Sequence, residues 1–469
     1  MFVGRKRELE ALEKQYAGND FEFAVIYGRR RVGKTSLIVE FIKDKPAVFF
    51  TGRETNLAEN LVLLSGSIQA SRFGVEKAPV YQSIDDALDR VFSAADGKRL
   101  IFVIDEYPYL AGAWRGISST LQEKIDHRSK KCRLFLILCG SSLSFMENQV
   151  LGYQSPLYGR RTAQYKIEPF DFFEAGEFFP NLNSQDSAAI YAMAGGIPSY
   201  LNRFIGSAPL KEKVIANFLS PQGFLFEEPE NLLKQELRDP ANYNALIREI
   251  ARGATRVSEI ASKTGLETGV ASHYLDTLIQ LGIVEREMPV TEEVQGKTRG
   301  RKSLYTVKDN LFCFWYRFIP GIIDIIQHNN TEKAWDFIAE GFSAYMGRVF
   351  EEICRQYLWR ENTAGRLPFF FQQEGRWWGH DPLQKMESKI DILAIQGKTH
   401  ALFCECKWRN EGTGRDVLEA LLQKADHFRF EQKYYILFSK SPFTVGCKKL
   451  AAERGGVRLL SFREMNVNR

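Results

Sequence analysis

The 469 residues are 44% hydrophobic and 26% charged, a balance that excludes a disordered or collagen-like chain and provides for about three packed domains. The 63 basic and 58 acidic residues leave a net charge of +5, too small over this length to mark a general polyanion binder, so any basic surface must be local. Seven cysteines, at 132, 139, 313, 354, 404, 406 and 447, lack zinc-finger spacing and read as free thiols of a reducing compartment. The charged start MFVGRKRELE holds no apolar signal core, and the longest apolar run, LFLILCGSSLSFM, is too short to span a bilayer. A cytoplasmic protein without a membrane partner is expected.

Through residue 168 short apolar runs alternate with amphipathic stretches: FAVIY at 23–27, LIFVI at 100–104 and LFLILC at 134–139. This is the pattern of strands buried on both faces of a parallel sheet. Residues 169–236 hold no such runs, and stretches such as FDFFEAGEFF and SAAIYAMAGG predict a small helical lid. Over 237–310 two short helical patterns, a longer one (TGVASHYLDTLIQLG) and two strand-like runs (IVERE, SLYTV) follow the order of a winged helix-turn-helix. Residues 311–339 read as a packed helical connector. A last small α/β domain is expected over 340–469, with a helix, FSAYMGRVFEEICRQYLW, before the strands KIDILAI and ALFCECKW.

Residues 28–35, GRRRVGKT, match G-x-x-x-x-G-K-S/T between a strand-like and a helical run, the context this phosphate-binding loop requires. Gly28, Arg29, Arg30, Arg31, Val32, Gly33, Lys34, Thr35 and Ser36 are therefore candidate nucleotide contacts. The glycines let backbone amides close on phosphates at a helix N-terminus, Lys34 reaches the β and γ phosphates, and the Thr35 hydroxyl is a ligand for Mg2+. The strand LIFVIDE ends in Asp105, a second metal candidate, and Glu106, placed to orient or deprotonate water. Ser141 and Ser142, after the third strand, stand where a γ-phosphate sensor belongs. Arg160 and Arg161 could stabilise charge on a transferred phosphoryl group.

Together FVGRKREL, YGRRRVGKT, LIFVIDEYPYL, CGSS, PLYGRR and GGIPSYL resemble the archaeal-type P-loop ATPases of the AAA+ and STAND group, near the origin-recognition ATPases, over roughly residues 1–205. The resemblance implies an AAA+-like parallel sheet with a helical lid, and ATP or ADP with Mg2+ as cofactors. It also implies an N-terminal box of Phe2, Gly4 and Arg5 beside the base, sensor 1 at Ser141 or Ser142, and a lid motif at Gly196 and Pro198. Which arginine is a finger, and whether it acts within one chain or across a homo-oligomer, stays open.

In the third winged-helix pattern Val270, Ala271, Tyr274, Leu275, Leu278 and Ile279 form the expected apolar face. Glu267, Thr268, Ser272, His273 and Asp276 point outward, a poor surface for base readout. The loop GKTRGRK supplies Lys297, Arg299, Arg301 and Lys302, which could track a nucleic-acid backbone; an exposed loop used for contacts within the chain is the other reading.

At the C-terminus Asp391 lies on one predicted strand, with Glu405 and Lys407 two apart on the next and so on one face. Cys404 and Cys406 point to the other face, as core residues. Two carboxylates and a lysine converging at a sheet edge can bind Mg2+ and activate water. This order is similar to the restriction-endonuclease-like nucleases, as is the preceding helix with Glu351 and Glu352, which adds Glu351 as a metal candidate. The sequence departs from that pattern where Ile390 replaces a proline and Lys389 stands where an acidic residue is usual, so that a lysine could compete with metal for Asp391. Two functions stay open: an ATPase gating a metal-dependent nuclease on DNA or RNA, and a nucleotide-dependent switch whose C-terminal domain is an inactive binding module.

Overall fold

The computed structural model describes residues 2–71, 80–293, 302–381 and 386–466. The chain divides into two compact units, one running to Pro169 and including Ile197–Ser199, the other made of Phe170–Gly196 and the chain from Tyr200 onward.

The first unit is built on β1 (Glu22–Tyr27), β2 (Ala47–Thr51), β3 (Leu100–Asp105), β4 (Leu134–Gly140) and β5 (Ala163–Lys166). They form one sheet in the order β2-β3-β4-β1-β5, parallel throughout. Every residue of β3 and β4 is buried, the condition of central strands covered by helices on both faces. On one face Phe23, Val25, Phe50, Phe102 and Leu136 pack with Leu88, Phe92 and Leu121 from the covering helices. Each such side chain contributes roughly 1.5–3 kcal/mol by leaving water. The pairs Tyr27↔Gly140 and Ile104↔Leu138 bring the carboxyl ends of β1, β3 and β4 level at one edge. There β1 leads into α2 (Lys34–Ile42), while α1 (Lys6–Ala17) precedes the sheet.

The second unit begins, as the sequence suggests, with short helices and no strand before residue 241. Then α3 (Ala241–Ala251), α4 (Val257–Thr264) and α5 (Thr268–Gln280) precede the antiparallel pair β6 (Val284–Glu287) and β7 (Leu304–Val307), a winged helix-turn-helix. On α5 Ala271, Leu275 and Leu278 are buried. Val270, expected on that face, is exposed in the first turn of the helix.

Next, α6 (Asn310–Phe318) is buried at every described position from Leu311 except Arg317. A single 33-residue helix, α7 (Thr331–Thr363), runs unbroken through the boundary expected at residue 340. After it come β8 (Gln373–Asp381), β9 (Met386–Gln396), β10 (His400–Lys407), α8 (Arg415–Asp426), β11 (Gln432–Ser439), α9 (Val445–Arg454) and β12 (Val457–Ser461). The sheet order is β12-β11-β10-β9-β8, antiparallel from β8 to β10 and parallel from β10 to β12. Among the described residues no helix is long and apolar enough to cross a membrane.

Candidate functional site

At the end of β1 the chain must pass close to the exit of β5. A Cβ on Gly28 would stand 2.3 Å from the Ile167 carbonyl oxygen, so only glycine fits. Arg31 and Gly33 take left-handed backbone at φ 68° and 91°, which turns the loop back and starts α2 with the exposed Thr35 and Ser36. Unpaired amides at such a helix start attract anions. Val32 is fully buried beneath the loop, and its carbonyl accepts from Arg5 Nη2 at 3.1 Å; the same nitrogen donates to Glu168 O at 2.6 Å. Arg5, expected beside a base, thus pins the loop to the exit of β5. Pro198 lies against the loop, 3.5 Å from a Cβ built on Gly33.

Lys34 is buried and donates to Gly28 O and Arg29 O, both at 2.9 Å. Burial lowers its pKa from the ordinary lysine value, against the opposite pull of Glu106 and Asp105. The Thr35 hydroxyl donates to Asp105 Oδ2 at 2.9 Å. Glu106 follows in a left-handed conformation, φ 49°, a costly geometry for a residue with a side chain, at about 1–3 kcal/mol. It turns the carboxylate toward β4, where Ser141 Oγ donates to both oxygens at 2.9 Å. Of the two sensor candidates, Ser141 is the one in contact; Ser142 opens the next short helix. Arg30 Nη2 donates to Tyr109 OH at 3.1 Å.

The arginine pair divides. Arg160 clamps Asp126 through Nε and Nη2 at 2.8 and 2.7 Å, while its Nη1 donates to Pro156 O and Tyr158 O. In this arrangement every nitrogen of Arg160 is engaged by the chain's own surface. Arg161 lies near enough to Tyr27 to act on its phenol electrostatically.

In the C-terminal sheet the candidate acids come together with cations. The pairing of β8 with β9 slips between Gly375↔Leu393 and Trp377↔Ile390, which puts one extra residue in β9. Ile390 and Leu393 consequently share one core cluster, although strict alternation would separate them, and the bulge re-aims Asp391. Asp391 Oδ2 accepts from Cys406 N at 3.0 Å, and Lys389 Nζ stands 3.3 Å from Oδ1. This contact is an ion pair by distance that lacks hydrogen-bond alignment, since Oδ1 has no hydrogen-bond partner. Glu405 holds Lys407 at 2.5 Å and Lys424 of α8 at 3.1 Å. Glu351 takes Arg376 Nε and Nη2 at 3.0 and 2.6 Å.

Burial raises the Glu351 pKa against the pull of Arg376, and Asp391 adds to the rise. For Lys389 burial opposes the charge, but Asp391 and Glu351 outweigh it and the pKa rises. Among the described residues no group of three or more His, Cys, Asp or Glu is arranged to hold a metal ion. The candidate ligands Glu351, Asp391 and Glu405 sit in a network in which each carboxylate faces a cation of its own chain. Cys404 and Cys406 are buried on the side of Cys354, as core packing requires.

Sequence reasoning missed Arg376 and Lys424. Lys424 lies three residues from the buried Leu421 of α8, a charge bordering an apolar stripe, which was a legible signal. Arg376 sits beside Trp377 and the slip in β8 pairing, where no period marks it. On the winged helix Lys302 pairs with Glu292 at 2.8 Å; Lys297, Arg299 and Arg301 lie outside the described residues.

Comparison with known proteins agrees with this anatomy. Residues 2–204 match a family model described as an ATPase domain predominantly from Archaea. Residues 246–287 match an IclR helix-turn-helix domain, and residues 315–422 a model described as archaeal and bacterial proteins of unknown function. Uncharacterized protein MJECL04 of Methanocaldococcus jannaschii is 31% identical over 447 residues, 94% of this chain and 96% of its own. The uncharacterized ATP-binding protein MJ0423 of the same organism is 53% identical over 45 residues, 10% of this chain and 76% of its own. The Walker-type ATPase PABY2304 of Pyrococcus abyssi shares the fold at a TM-score of 0.51 and 19% identity, covering 67% of this chain and 96% of that one. The chain belongs to the archaeal-type P-loop ATPase family, as a nucleotide-binding ATPase that carries a helix-turn-helix and a C-terminal mixed-sheet domain.

Proposed function

We propose that the protein binds ATP with Mg2+ at the Lys34 loop, hydrolyses it, and uses nucleotide state to control a nucleic-acid contact of the winged helix. In this reading the C-terminal domain is an ionically locked binding module. The ATPase half rests on the two hydroxyl-to-carboxylate contacts, Thr35 on Asp105 and Ser141 on Glu106. A neutral hydroxyl leaves the charge of its acid uncancelled, and hard oxygen donors suit Mg2+, so the residues fit the ion. Thr35 and Asp105 would hold it and Lys34 would hold the phosphates; the bound ion would neutralise charge on the phosphate oxygens. Glu106 orients or deprotonates the attacking water, with Ser141 fixing its carboxylate. Lys34→Ala should lose nucleotide binding, while Glu106→Gln should bind and fail to turn over; hydrolysis unchanged in both would refute the assignment.

Nucleic-acid contact rests on the helix-turn-helix match and on Lys297, Arg299, Arg301 and Lys302. Four phosphate contacts would give a salt-dependence slope of roughly 4, measurable by anisotropy of a labelled duplex with and without ATP. The binding-module reading of the last domain rests on Lys389, Lys407, Lys424 and Arg376, which already supply the positive charge that a divalent ion would bring. As arranged, the cluster does not fit a metal. One observation favours the nuclease reading: Asp391 Oδ1 is buried without a hydrogen bond. Incubating DNA and RNA with the protein in Mg2+ and Mn2+ separates the two, because cleavage that disappears in Asp391→Asn would overturn the binding-module reading.

A further inference from the structure

Within the second unit a cavity of about 380 Å³, in the size range of small-molecule sites, opens where the winged helix meets the C-terminal sheet. Its apolar walls include Tyr305 and Val307 of β7 and Trp377 and Trp378 of β8. Arg317 of α6 and Arg348 of α7 also line it. Arg348 Nη1 donates to Cys313 Sγ at 2.5 Å and Nη2 to Val307 O, while Arg317 Nη1 donates to Ala251 O at 3.2 Å. Neither guanidinium has a carboxylate within ion-pair distance among the described residues. Neighbouring Arg355 and Arg376 each take two or more, drawn from Glu287, Glu351, Glu352 and Glu374. The carboxylate that acts on Arg348 at longer range, Glu285, accepts from Thr306 Oγ1.

A partly buried guanidinium that meets only a carbonyl and a thiol carries a charge that no carboxylate offsets, and a bidentate anion can exchange for those neutral acceptors. Flat aromatic walls beside it favour a planar ring. We propose that this cavity is a second ligand site, separate from the Lys34 loop, for a planar aromatic anion with the chemistry of a nucleoside monophosphate. Arg317 and Arg348 take the anionic group, and Tyr305 and Trp378 take the ring. Lys389 lines the same cavity with its ammonium on Asp391, so the ligand would bear on the ionic cluster as well as on the wing strand.

The test is calorimetric titration of the full-length Lys34→Ala protein with AMP, adenosine and inorganic phosphate. We expect one AMP site per chain, at least about tenfold tighter than either fragment, and weakened about tenfold or more by Arg317→Gln. Trp378→Leu should weaken AMP and leave phosphate unchanged. Arg317 is the exposed member of the pair, so its variant keeps the test valid if Arg348→Gln fails to fold. Absence of AMP binding by folded protein, or AMP binding unaffected by Arg317→Gln, would overturn the proposal. Phosphate binding as tight as AMP would overturn the ring half of it. The outcome is independent of hydrolysis at the Lys34 loop, which this variant removes.

Discussion

The nucleotide loop and the C-terminal cluster are made from the same ingredients, acids gathered beside a β-sheet with a lysine close by, and they arrange them in opposite ways. At the first site the acids meet hydroxyls, Thr35 on Asp105 and Ser141 on Glu106, while Lys34 rests on backbone carbonyls. Each of these contacts is neutral on one side, so an incoming metal and triphosphate can replace it without breaking an ion pair. At the second site Glu351 and Glu405 are hydrogen-bonded to full cations, and Asp391 faces Lys389. Any added cation must displace one already in place. Sharing a residue inventory therefore does not make two sites equivalent; the charge of the resting partners decides which site is ready for a ligand.

The largest expected effect lies in the first region. Lys34→Ala should weaken nucleotide binding about 100-fold or more, since it removes charged hydrogen bonds worth roughly 1.5–3 kcal/mol each, as read by calorimetry. Glu106→Gln should retain binding and lose on the order of 10²–10⁴ in turnover, the usual share of a general base; normal turnover would move the base elsewhere.

In the second region Arg376→Ala leaves Glu351 without its arginine, while Glu287 keeps Arg355, and should cost about 3–5 kcal/mol in denaturant unfolding. Only the ammonium of Lys389 is crowded by its acidic neighbours, and the side chain as a whole is largely exposed, so Lys389→Met should cost under about 1 kcal/mol. If the comparison holds, Mn2+ raises the melting temperature of Lys389→Met and not of the wild type; an equal rise in both would break it.

The smallest effect is in pH. Burial makes the folded Lys34 pKa lower than the unfolded value of 10.5. Between the two values the folded state binds fewer protons, so the stability of the nucleotide-free protein gains slightly as pH rises through that window. Phosphate needs the ammonium, so nucleotide affinity should fall with rising pH, beginning below 10.5. Lys34→Arg should remove that fall.

Much of the first region was legible in the residues. GRRRVGKT between a strand and a helix carries its own context, and LIFVIDE delivers Asp105 to a strand end whatever the rest of the chain does. The strand β2, AVFFT, escaped notice because an edge strand with alternating burial makes a weak apolar run. Left-handed backbone at Glu106 and Arg31 carries no compositional mark, since neither is glycine. In the second region the triplet Asp391, Glu405 and Lys407 was visible as letters. Its neutralisation was only partly so: Lys389 is adjacent in sequence, whereas Lys424 and Arg376 arrive through tertiary packing, and the β9 bulge defeats any argument from alternation. The exposed position of Val270 shows the same limit at a helix end.

The most direct test of the account is to count bound Mn2+ by electron paramagnetic resonance on the full chain with a non-hydrolysable ATP analogue. One ion per chain is predicted, lost in Asp105→Asn and unaffected by Asp391→Asn. Two ions per chain, or one that survives Asp105→Asn and disappears with Asp391→Asn, would contradict it.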